Sequence, residues 1–363
     1  MGLALPNAGS AQPAPSSLSA TPASEPYSAA IDSTEALIDS LMAAQGIPGV
    51  TAAVGVHGRI VWSDGFGYAD LENRVPVWPH TKMRIGSVSK ALTSVAVGRL
   101  VEAGTLDLDA PVQAYVPSFP EKRDTITTRL VAGHLAGVRH YRNDEFLSKK
   151  HYSSVEAGLE IFEADTLLYE PGTEYSYSSY GWNLVSAVVE GAAEQPFLSY
   201  MREHVIRPLR LRNTVADHVD SLITNRTDYY VREDGALRNA PYVDNSYKWA
   251  GGGYLSTAED LVRFGHGVFQ GNVLDPKTVA VLTTSQRTSG GEPTGYGIGW
   301  QIGTDASGRR TVGHGGGSVG GSTAFITIPS ANVVVAIISN MSGVDYDDLP
   351  TRIARLFREA ASR

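Results

Sequence analysis

Strand-like segments lie near both ends of this chain, and helical patterns occupy the sequence between them. GVTAAVGVHGRIVWSDGFGYAD, residues 49–70, predicts two strands around a turn at His57-Gly58. The β-branched runs Ser322–Ile328 and Asn332–Ile338 predict two more. Strands at both termini with helices between them favour an α+β fold, in which helices flank one antiparallel sheet built from both ends of the chain.

The sequence between the predicted strands indicates an inserted all-helical subdomain. Amphipathic patterns predict helices over Ile31–Ala44, Ser87–Ala103, near Gly181–Gly191 and over Leu349–Ala361. Residues 28–363 are expected to form one composite domain, because the length exceeds that of a single small core. Its α/β part is predicted at about 28–105 and 285–363, and its helical part at about 106–284.

Residues 1–27 differ from the rest in being rich in Ala, Pro and Ser. Such a composition cannot bury a core, so a disordered leader is expected. The small-residue run Ala8-Gly9-Ser10-Ala11 also fits the cleavage region of an export signal. The two interpretations stay open here, and the second favours a periplasmic or secreted location over a cytoplasmic one.

Composition and charge exclude several classes of function. The net charge is −8 and no basic run is present, so nucleic acid is not an expected partner. No apolar run is long enough to span a bilayer. The chain has no cysteine, which removes disulfides, thiolate metal sites and cysteine nucleophiles. Its nine histidines show no metal-ligand spacing, so neither a metal nor a cofactor is expected.

Ser87-Val88-Ser89-Lys90 begins one of the predicted helices, and it is the only S-x-x-K in the sequence. Three residues are nearly one helical turn, so Ser87 and Lys90 would share a face. A serine hydroxyl is a weak nucleophile until a neighbouring base takes its proton, and burial can lower the pKa of a lysine enough for that task. The pair is either a nucleophile with its base or an incidental structural contact.

A rival serine lies in Gly316-Gly317-Ser318-Val319-Gly320, which matches the G-x-S-x-G nucleophile elbow. That elbow requires a following helix, whereas strand-like sequence follows here, so Ser318 is discounted. The overlapping G-x-G-x-x-G match at 315–320 fails as a dinucleotide site for the same reason.

Two further segments carry candidate site residues. Tyr177 and Ser179 begin a predicted helix, where side chains can point into a cleft. A tyrosine beside an ammonium can act as general base, because the positive charge favours the phenolate. Tyr175, Tyr177 and Tyr180 could instead be core or rim aromatics. The glycine-rich run 312–317 is either a plain turn or a strand edge whose N–H groups hold an oxyanion.

The order of these motifs, S-x-x-K at Ser87, Y-x-S at Tyr177 and H-x-G at His314, resembles that of the penicillin-recognising serine hydrolases. The branch of class C β-lactamases, D-alanyl-D-alanine peptidases and related esterases is the most similar. This resemblance implies a β-lactamase/DD-peptidase-like fold.

Three longer segments are similar to one group within that superfamily. HLAGVRHY (134–141), LDLDAPVQAYVPSFPEK (106–122) and PYVDNSYKWAGGGYLST (241–257) resemble the LACTB group, the mitochondrial β-lactamase-like serine proteases of animals. The similarity extends over roughly residues 30–350. Animal members of this group are associated with filaments and carry a charged middle insertion, whereas the stretch Tyr141–Tyr169 is short and has no such block.

The resemblance implies a role for each catalytic residue. Ser87 would be the acylated nucleophile, and Lys90 would accept its proton or tune its partner. Tyr177 would carry the proton to the leaving group and activate water. The backbone N–H groups of Ser87 and Gly317 would form the oxyanion hole.

The substrate-binding residues implied by the resemblance depart from the β-lactamase pattern. Ser179 stands where β-lactamases carry an asparagine, and His314-Gly315-Gly316 replaces K-T-G. The replacement removes a permanent cation and a hydroxyl suited to the β-lactam carboxylate, so at most weak β-lactamase activity is expected. Tyr141 and Trp249 are expected to line the cleft, although either could be a packing aromatic.

The leading prediction is a serine hydrolase that cleaves peptide or amide bonds through an acyl-enzyme on Ser87. A carboxylesterase or weak β-lactamase of the same fold is the alternative within enzymes, since all use the same acylation machinery. A filament-forming, non-catalytic scaffold is the alternative of another class, but intact Ser87, Lys90 and Tyr177 argue against a dead site. The expected partner is a peptide, amide or ester substrate, and assembly with further copies of the chain stays open.

Overall fold

Seven antiparallel strands form the central sheet of the computed structural model, which describes residues 25–362. In chain order the strands are β1 (Gly49–Val56), β2 (Arg59–Asp70), β3 (Val75–Pro76), β4 (Met83–Arg84), β5 (Val215–Ala216), β6 (Tyr230–Glu233), β7 (Ala236–Asn239), β8 (Tyr254–Ser256), β9 (Gln301–Thr304), β10 (Arg310–Ser318), β11 (Gly321–Ile328) and β12 (Val333–Ser339). The central sheet has the order β3-β2-β1-β12-β11-β10-β9. Because β1 and β12 are neighbours, the predicted sheet built from both ends of the chain is confirmed.

Nine helices of the described residues surround this sheet. They are α1 (Ser28–Gln45), α2 (Ser89–Glu102), α3 (Thr128–Ala132), α4 (Ser179–Ala193), α5 (Phe197–Met201), α6 (Trp249–Gly252), α7 (Ala258–Phe269), α8 (Pro276–Thr283) and α9 (Leu349–Ala361). Within residues 25–362, no helix is both long and apolar enough to cross a bilayer. The predicted helix from Ser87 begins instead as a 3-10 turn, Gly86–Val88, which leads directly into α2.

The last three residues of the predicted leader, 25–27, are among the described residues. Residues 1–24 lie outside the described residues, and Glu25–Tyr27 form a 3-10 helix that leads into α1. The helices α3 to α8 and the short strands β5 to β8 all lie between residues 106 and 284.

Helices cover both faces of the central strands, which explains why these strands are apolar at consecutive positions. On β12, Val335 and Ile337 join one buried cluster with residues of α1 and α9. The alternate residues Val334 and Ala336 join a second cluster with residues of α2 and α7. The alternation of side chains along a strand thus divides the core into two layers, one on each side of the sheet.

The catalytic candidates meet where the helical part contacts the sheet. The helices α2, α4 and α6 pack on one another, and the 3-10 turn before α2 packs on β10. Gly86 in that turn has a φ of +51°, and a Cβ there would lie 2.5 Å from the carbonyl oxygen of Gly317. Only glycine permits this backbone conformation at such close approach without strain. The first turn of α2 is therefore held against the glycine-rich strand.

Candidate active site

Lys90 lies at the centre of a buried polar network in the first turn of α2. Its Nζ lies 3.0 Å from Oγ of Ser87 and 3.3 Å from Oγ of Ser179, and it donates a 2.7 Å hydrogen bond to the carbonyl oxygen of Gly251. The side chain is fully buried. Burial, reinforced by the nearby charge of Lys248, holds the pKa of Lys90 well below its ordinary value. A neutral amine beside a serine hydroxyl is the arrangement that a base and nucleophile require.

Tyr177 lies two residues before α4, and its ring packs against histidine rings. The ring centroid is 4.3 Å from that of His134 and 5.7 Å from that of His140, which it meets edge-on. Nζ of Lys90 lies 4.9 Å from the Tyr177 centroid. Burial raises the pKa of Tyr177, and the hydroxyls of Ser87 and Ser179 offset only part of that effect. The phenolate anticipated from the sequence is therefore disfavoured, and burial favours the protonated phenol of Tyr177 and the neutral form of Lys90.

These groups open into a cleft of about 430 Å³. Its wall is formed by Ser87, His140, Tyr141, Phe146, Tyr177, Ser179, Lys248, Gly251, Gly252, Gly317, Ser318, Ser342 and Gly343. A Cβ at Gly317 would meet nothing within 4 Å, so the backbone of this residue faces open space. A larger surface cavity of about 620 Å³ beside α7 has no serine, threonine or lysine on its wall, so the nucleophile and base identify the smaller cleft as the candidate active site.

Three of the predicted substrate-binding residues are absent from the cleft wall. Trp249 is buried with its ring 4.8 Å from that of His218, so it is a packing aromatic. His314 is a buried residue of β10, and its Nε2 lies 2.8 Å from the hydroxyl of Tyr296. Gly316 is pressed against the carbonyl oxygen of Ile85, which leaves no space for a side chain.

Three histidines surround Tyr177 and are neutral. Burial lowers the pKa of His140 to about 4 and that of His314 to about 3, and it lowers the pKa of His134 as well. Nδ1 of His134 accepts a hydrogen bond from the backbone N–H of Ser178. In the described part of the chain, no three His, Cys, Asp or Glu residues converge as metal ligands would.

The sequence interpretation missed His140 and Lys248 on the cleft wall. Nδ1 of His140 accepts a 3.1 Å hydrogen bond from the N–H of Ser179, which fixes the first turn of α4. Lys248 precedes α6 directly and is 2% exposed. Both lie in the segments 134–141 and 241–257, which carry the resemblance.

The rival Ser318 ends β10, and a two-residue turn leads from it into the strand β11. A nucleophile elbow would be followed by a helix. The hydroxyl of Ser318 has no hydrogen-bond partner in residues 25–362, so no base adjoins it there. The sequence-based decision against this serine agrees with the structure.

An antiparallel sheet with an inserted helical part, and a serine three residues before a buried lysine at the start of a helix, define a serine hydrolase of the penicillin-binding-protein type. The solved structures agree. An octameric penicillin-binding protein homologue from Pyrococcus abyssi is 25% identical with a TM-score of 0.76, over 92% of this chain and 77% of its own. A D-amino acid amidase from Ochrobactrum anthropi shares the fold at 21% identity and a TM-score of 0.77, over 92% and 98% of the two chains.

The chain belongs to the β-lactamase family, whose model matches residues 34–357. The mouse mitochondrial serine β-lactamase-like protein LACTB is 32% identical, with 93% of this chain and 82% of the mouse protein covered. The predicted family and LACTB-like resemblance are thereby confirmed. The alignment spans 453 positions, more than the 363 residues present here, so the mouse protein contains inserted segments that this chain lacks.

Proposed function

We propose that this serine hydrolase cleaves peptide or amide bonds through an acyl-enzyme on Ser87. The proposal rests on the 3.0 Å separation between Oγ of Ser87 and Nζ of Lys90, a lysine whose pKa is lowered by burial. A neutral lysine has a lone pair that can accept the serine proton as Oγ attacks the carbonyl carbon.

The remaining steps use groups at the same cleft. As the Oγ–carbon bond forms, charge develops on the carbonyl oxygen, and the N–H groups of Ser87 and Gly317 can stabilise it. Tyr177 can donate its phenolic proton to the leaving nitrogen and regain one proton from Lys90, the proton that Lys90 accepted from Ser87. The C–N bond then breaks and the amine leaves. Lys90 then accepts a proton from the water that attacks the acyl-enzyme. The bond from the acyl carbon to Oγ breaks, the acid leaves, and Ser87 regains its proton.

Amide substrates are favoured over β-lactams because the residue at the K-T-G lysine position departs from the β-lactamase pattern and does not line the cleft. His314 stands where the family carries the lysine of K-T-G, and it is neutral and buried. The fold shared with a D-amino acid amidase supports amide substrates. An esterase of the family type would use the same acylation steps, so ester hydrolysis is expected as a secondary activity.

The test is intact-protein mass spectrometry after incubation with a fluorophosphonate probe, followed by peptide mapping. Wild type, Ser87→Ala and Ser318→Ala are compared. One adduct on the peptide containing residues 84–95, lost in Ser87→Ala and retained in Ser318→Ala, supports the proposal. Labelling that persists in Ser87→Ala contradicts it. A peptide library with unactivated amide bonds then separates a peptidase from an esterase, because activated esters acylate both.

We also propose that the chain assembles into discrete homo-oligomers. The support is the octameric penicillin-binding protein homologue from Pyrococcus abyssi, which shares the fold over 92% of this chain. Sedimentation velocity at micromolar protein should give one species larger than the monomer. Electron micrographs with long filaments would instead favour the scaffold alternative, and a monomer at all concentrations would overturn both.

For location we propose the periplasm or the exterior of a bacterial cell. The support is the Ala/Pro/Ser-rich composition of residues 1–27 and its small-residue run. Cell fractionation of the tagged natural chain tests this proposal, and recovery in the cytoplasmic fraction alone would refute it.

A further inference from the structure

Lys248 is a buried lysine on the cleft wall that lacks a polar partner. Its side chain lines the same cleft as Ser87 and Tyr177, and the residue is 2% exposed. Aromatic rings surround the ammonium: Nζ lies 4.3 Å from the centroid of Phe146, 5.2 Å from that of Tyr247 and 5.9 Å from that of Tyr141. Across residues 25–362, no hydrogen bond or ion pair joins this nitrogen to another group.

Such surroundings provide no protein acceptor for the donors of the ammonium among the described residues. Aromatic faces attract a cation, but they do not replace strong hydrogen-bond acceptors for its three N–H groups. Nζ of Lys248 is not fully enclosed by protein, so water or a ligand in the cleft can reach it. A lysine of this kind on the wall of a substrate cleft therefore marks a position where a ligand can supply the acceptor.

The charge of Lys248 is also unopposed within the cleft. The described residues of the wall include no carboxylate. Lys90 is engaged by Ser87, Ser179 and Gly251, and its pKa is lowered. His314, where the family motif has a lysine, is neutral. Lys248 is thus the cation in the described part of the cleft that is free to receive an anion.

We propose that Lys248 binds a carboxylate of the substrate, so that the preferred substrates are peptides or acyl amino acids with a free carboxylate near the bond cleaved at Ser87. The inference rests on the proposed acyl-enzyme function and names the substrate class of the same cleft. A carboxylate would accept charge-assisted hydrogen bonds from the ammonium while the aromatic rings exclude water from them. Lys248, in the turn before α6, would then bind the anion, whereas the family motif places the anion-binding lysine at the position of His314 on β10.

The titration of Lys248 is consistent with this role. Burial and the charge of Arg84 lower the pKa of Lys248 to about 7, while Asp217 opposes the shift. The charged or titratable groups around this lysine are Arg84, Lys90, His140, Tyr141, Asp217 and Tyr247. A bound carboxylate favours the ammonium, so affinity for an anionic substrate should fall as pH rises above about 7.

A pair of thioesters tests the proposal on the full chain, one with a carboxylate and the other with a neutral amide at the same position of the leaving group. N-acetylglycyl thioglycolate carries a carboxylate, and its thioglycolamide counterpart carries a neutral amide. The chain has no cysteine, so a thiol reagent detects only the released product. Wild type and Lys248→Met are compared with Lys150→Met as control. Lys150 also lies over an aromatic ring, 4.5 Å from the centroid of Tyr152, but its side chain is 64% exposed outside the cleft.

The readout is the ratio of kcat/KM for the acid to that for the amide at pH 6. Wild type should prefer the acid, and Lys248→Met should reduce that ratio about 10- to 100-fold, as expected for a lost hydrogen bond to a charged group. Lys150→Met should leave the ratio unchanged. Lys248→Arg, which keeps the charge, should retain part of the preference.

The outcomes separate this inference from the function on which it rests. If the fluorophosphonate probe labels Ser87 but wild type shows no preference for the acid, or Lys248→Met leaves the preference intact, the inference is overturned and the proposed function stands. If Ser87 is not labelled and neither thioester is hydrolysed, both are overturned. Should Lys248→Met fail to fold, wild type decides alone: KM for the acid must rise between pH 6 and pH 8 relative to that for the amide.

Discussion

The carbonyl oxygen of Gly251 accepts a 2.7 Å hydrogen bond from Nζ of Lys90, a residue 161 positions earlier in the chain. This bond joins the turn at α6 to the base at the start of α2. With Oγ of Ser179 at 3.3 Å, it provides two acceptors for the two N–H groups of a neutral amine. In the neutral form of Lys90, which burial favours, the lone pair can face the hydroxyl of Ser87, 3.0 Å away.

This geometry predicts that acylation requires the neutral form of Lys90. Labelling of Ser87 by an uncharged fluorophosphonate should accelerate with rising pH and reach a plateau, because burial lowers the pKa of Lys90 and raises that of Tyr177. Lys90→Arg cannot lose its proton and should slow labelling about 10²- to 10⁴-fold. Stopped-flow labelling measures both effects, with Lys150→Arg as a surface control. A rate in Lys90→Arg equal to that of wild type would exclude Lys90 as the base.

The same pKa shift makes stability depend on pH. The folded chain binds fewer protons at Lys90 than the unfolded chain between the lowered pKa and the unfolded value of about 10.4. The contribution of Lys90 to the free energy of unfolding therefore rises with pH across this window. Lys90→Met lacks that contribution.

Urea denaturation of wild type and Lys90→Met at several pH values checks the sign. The free energy of unfolding of Lys90→Met, relative to that of wild type, should be highest at the acidic end of the window. It should fall relative to that of wild type toward pH 10. A difference that does not change with pH would mean that the lysine remains charged in the folded chain.

Gly86 and Gly317 provide a test of how the oxyanion hole is positioned. Gly86→Ala places a Cβ 2.5 Å from the Gly317 carbonyl oxygen at a φ of +51°. Its cost should combine about 1–2 kcal/mol for the left-handed backbone with a further ~1–3 kcal/mol for the clash. Gly104→Ala is the matched control, since its φ is +72° and its Cβ would meet nothing within 4 Å.

Urea unfolding and probe labelling together give the result. In Gly104→Ala, the free energy of unfolding should fall only by the cost of the left-handed backbone, and the probe should label Ser87 at the wild-type rate. In Gly86→Ala, the free energy of unfolding should fall further, and labelling should be slower. Equal losses of stability in the two variants, with normal labelling in both, would show that the contact with Gly317 does not position the nucleophile.

The elements governed by local sequence were predictable. The helix Leu349–Ala361 was predicted with the bounds that the structure shows, and Pro350 in its first turn is a typical start signal. The hairpin turn at His57-Gly58 was also predicted, and both residues have positive φ, 50° and 82°. The signals for both features lie within a few residues of sequence.

The features governed by long-range packing were not predictable. The sequence does not indicate which side of the four-residue helix α6 the ring of Trp249 takes, and it packs on His218 instead of lining the cleft. Lys248, the preceding residue, lies on the cleft wall with its Nζ over the ring of Phe146, which is distant in the sequence. The 3-10 start of α2 likewise follows from the contact between Gly86 and β10.

His314 predicts weak activity toward β-lactams. The residue is buried and neutral, and its pKa is lowered to about 3, so no cation is present where the family motif has a lysine. Nitrocefin hydrolysis by wild type should have a kcat/KM below about 10⁴ M⁻¹s⁻¹, the lower end of typical enzyme efficiencies. Efficiency above that value would contradict the assignment of amide substrates.

Restoring the lysine should not restore the activity. His314→Lys would bury an ammonium beside the hydroxyl of Tyr296, with no carboxylate paired to His314 among the described residues, so the variant should melt at lower temperature without gaining nitrocefin hydrolysis. His314→Gln keeps a neutral acceptor for that hydroxyl and should melt close to wild type. A gain of nitrocefin hydrolysis in His314→Lys would show that the site at β10 can reach substrate, and that anion recognition is not confined to the turn before α6.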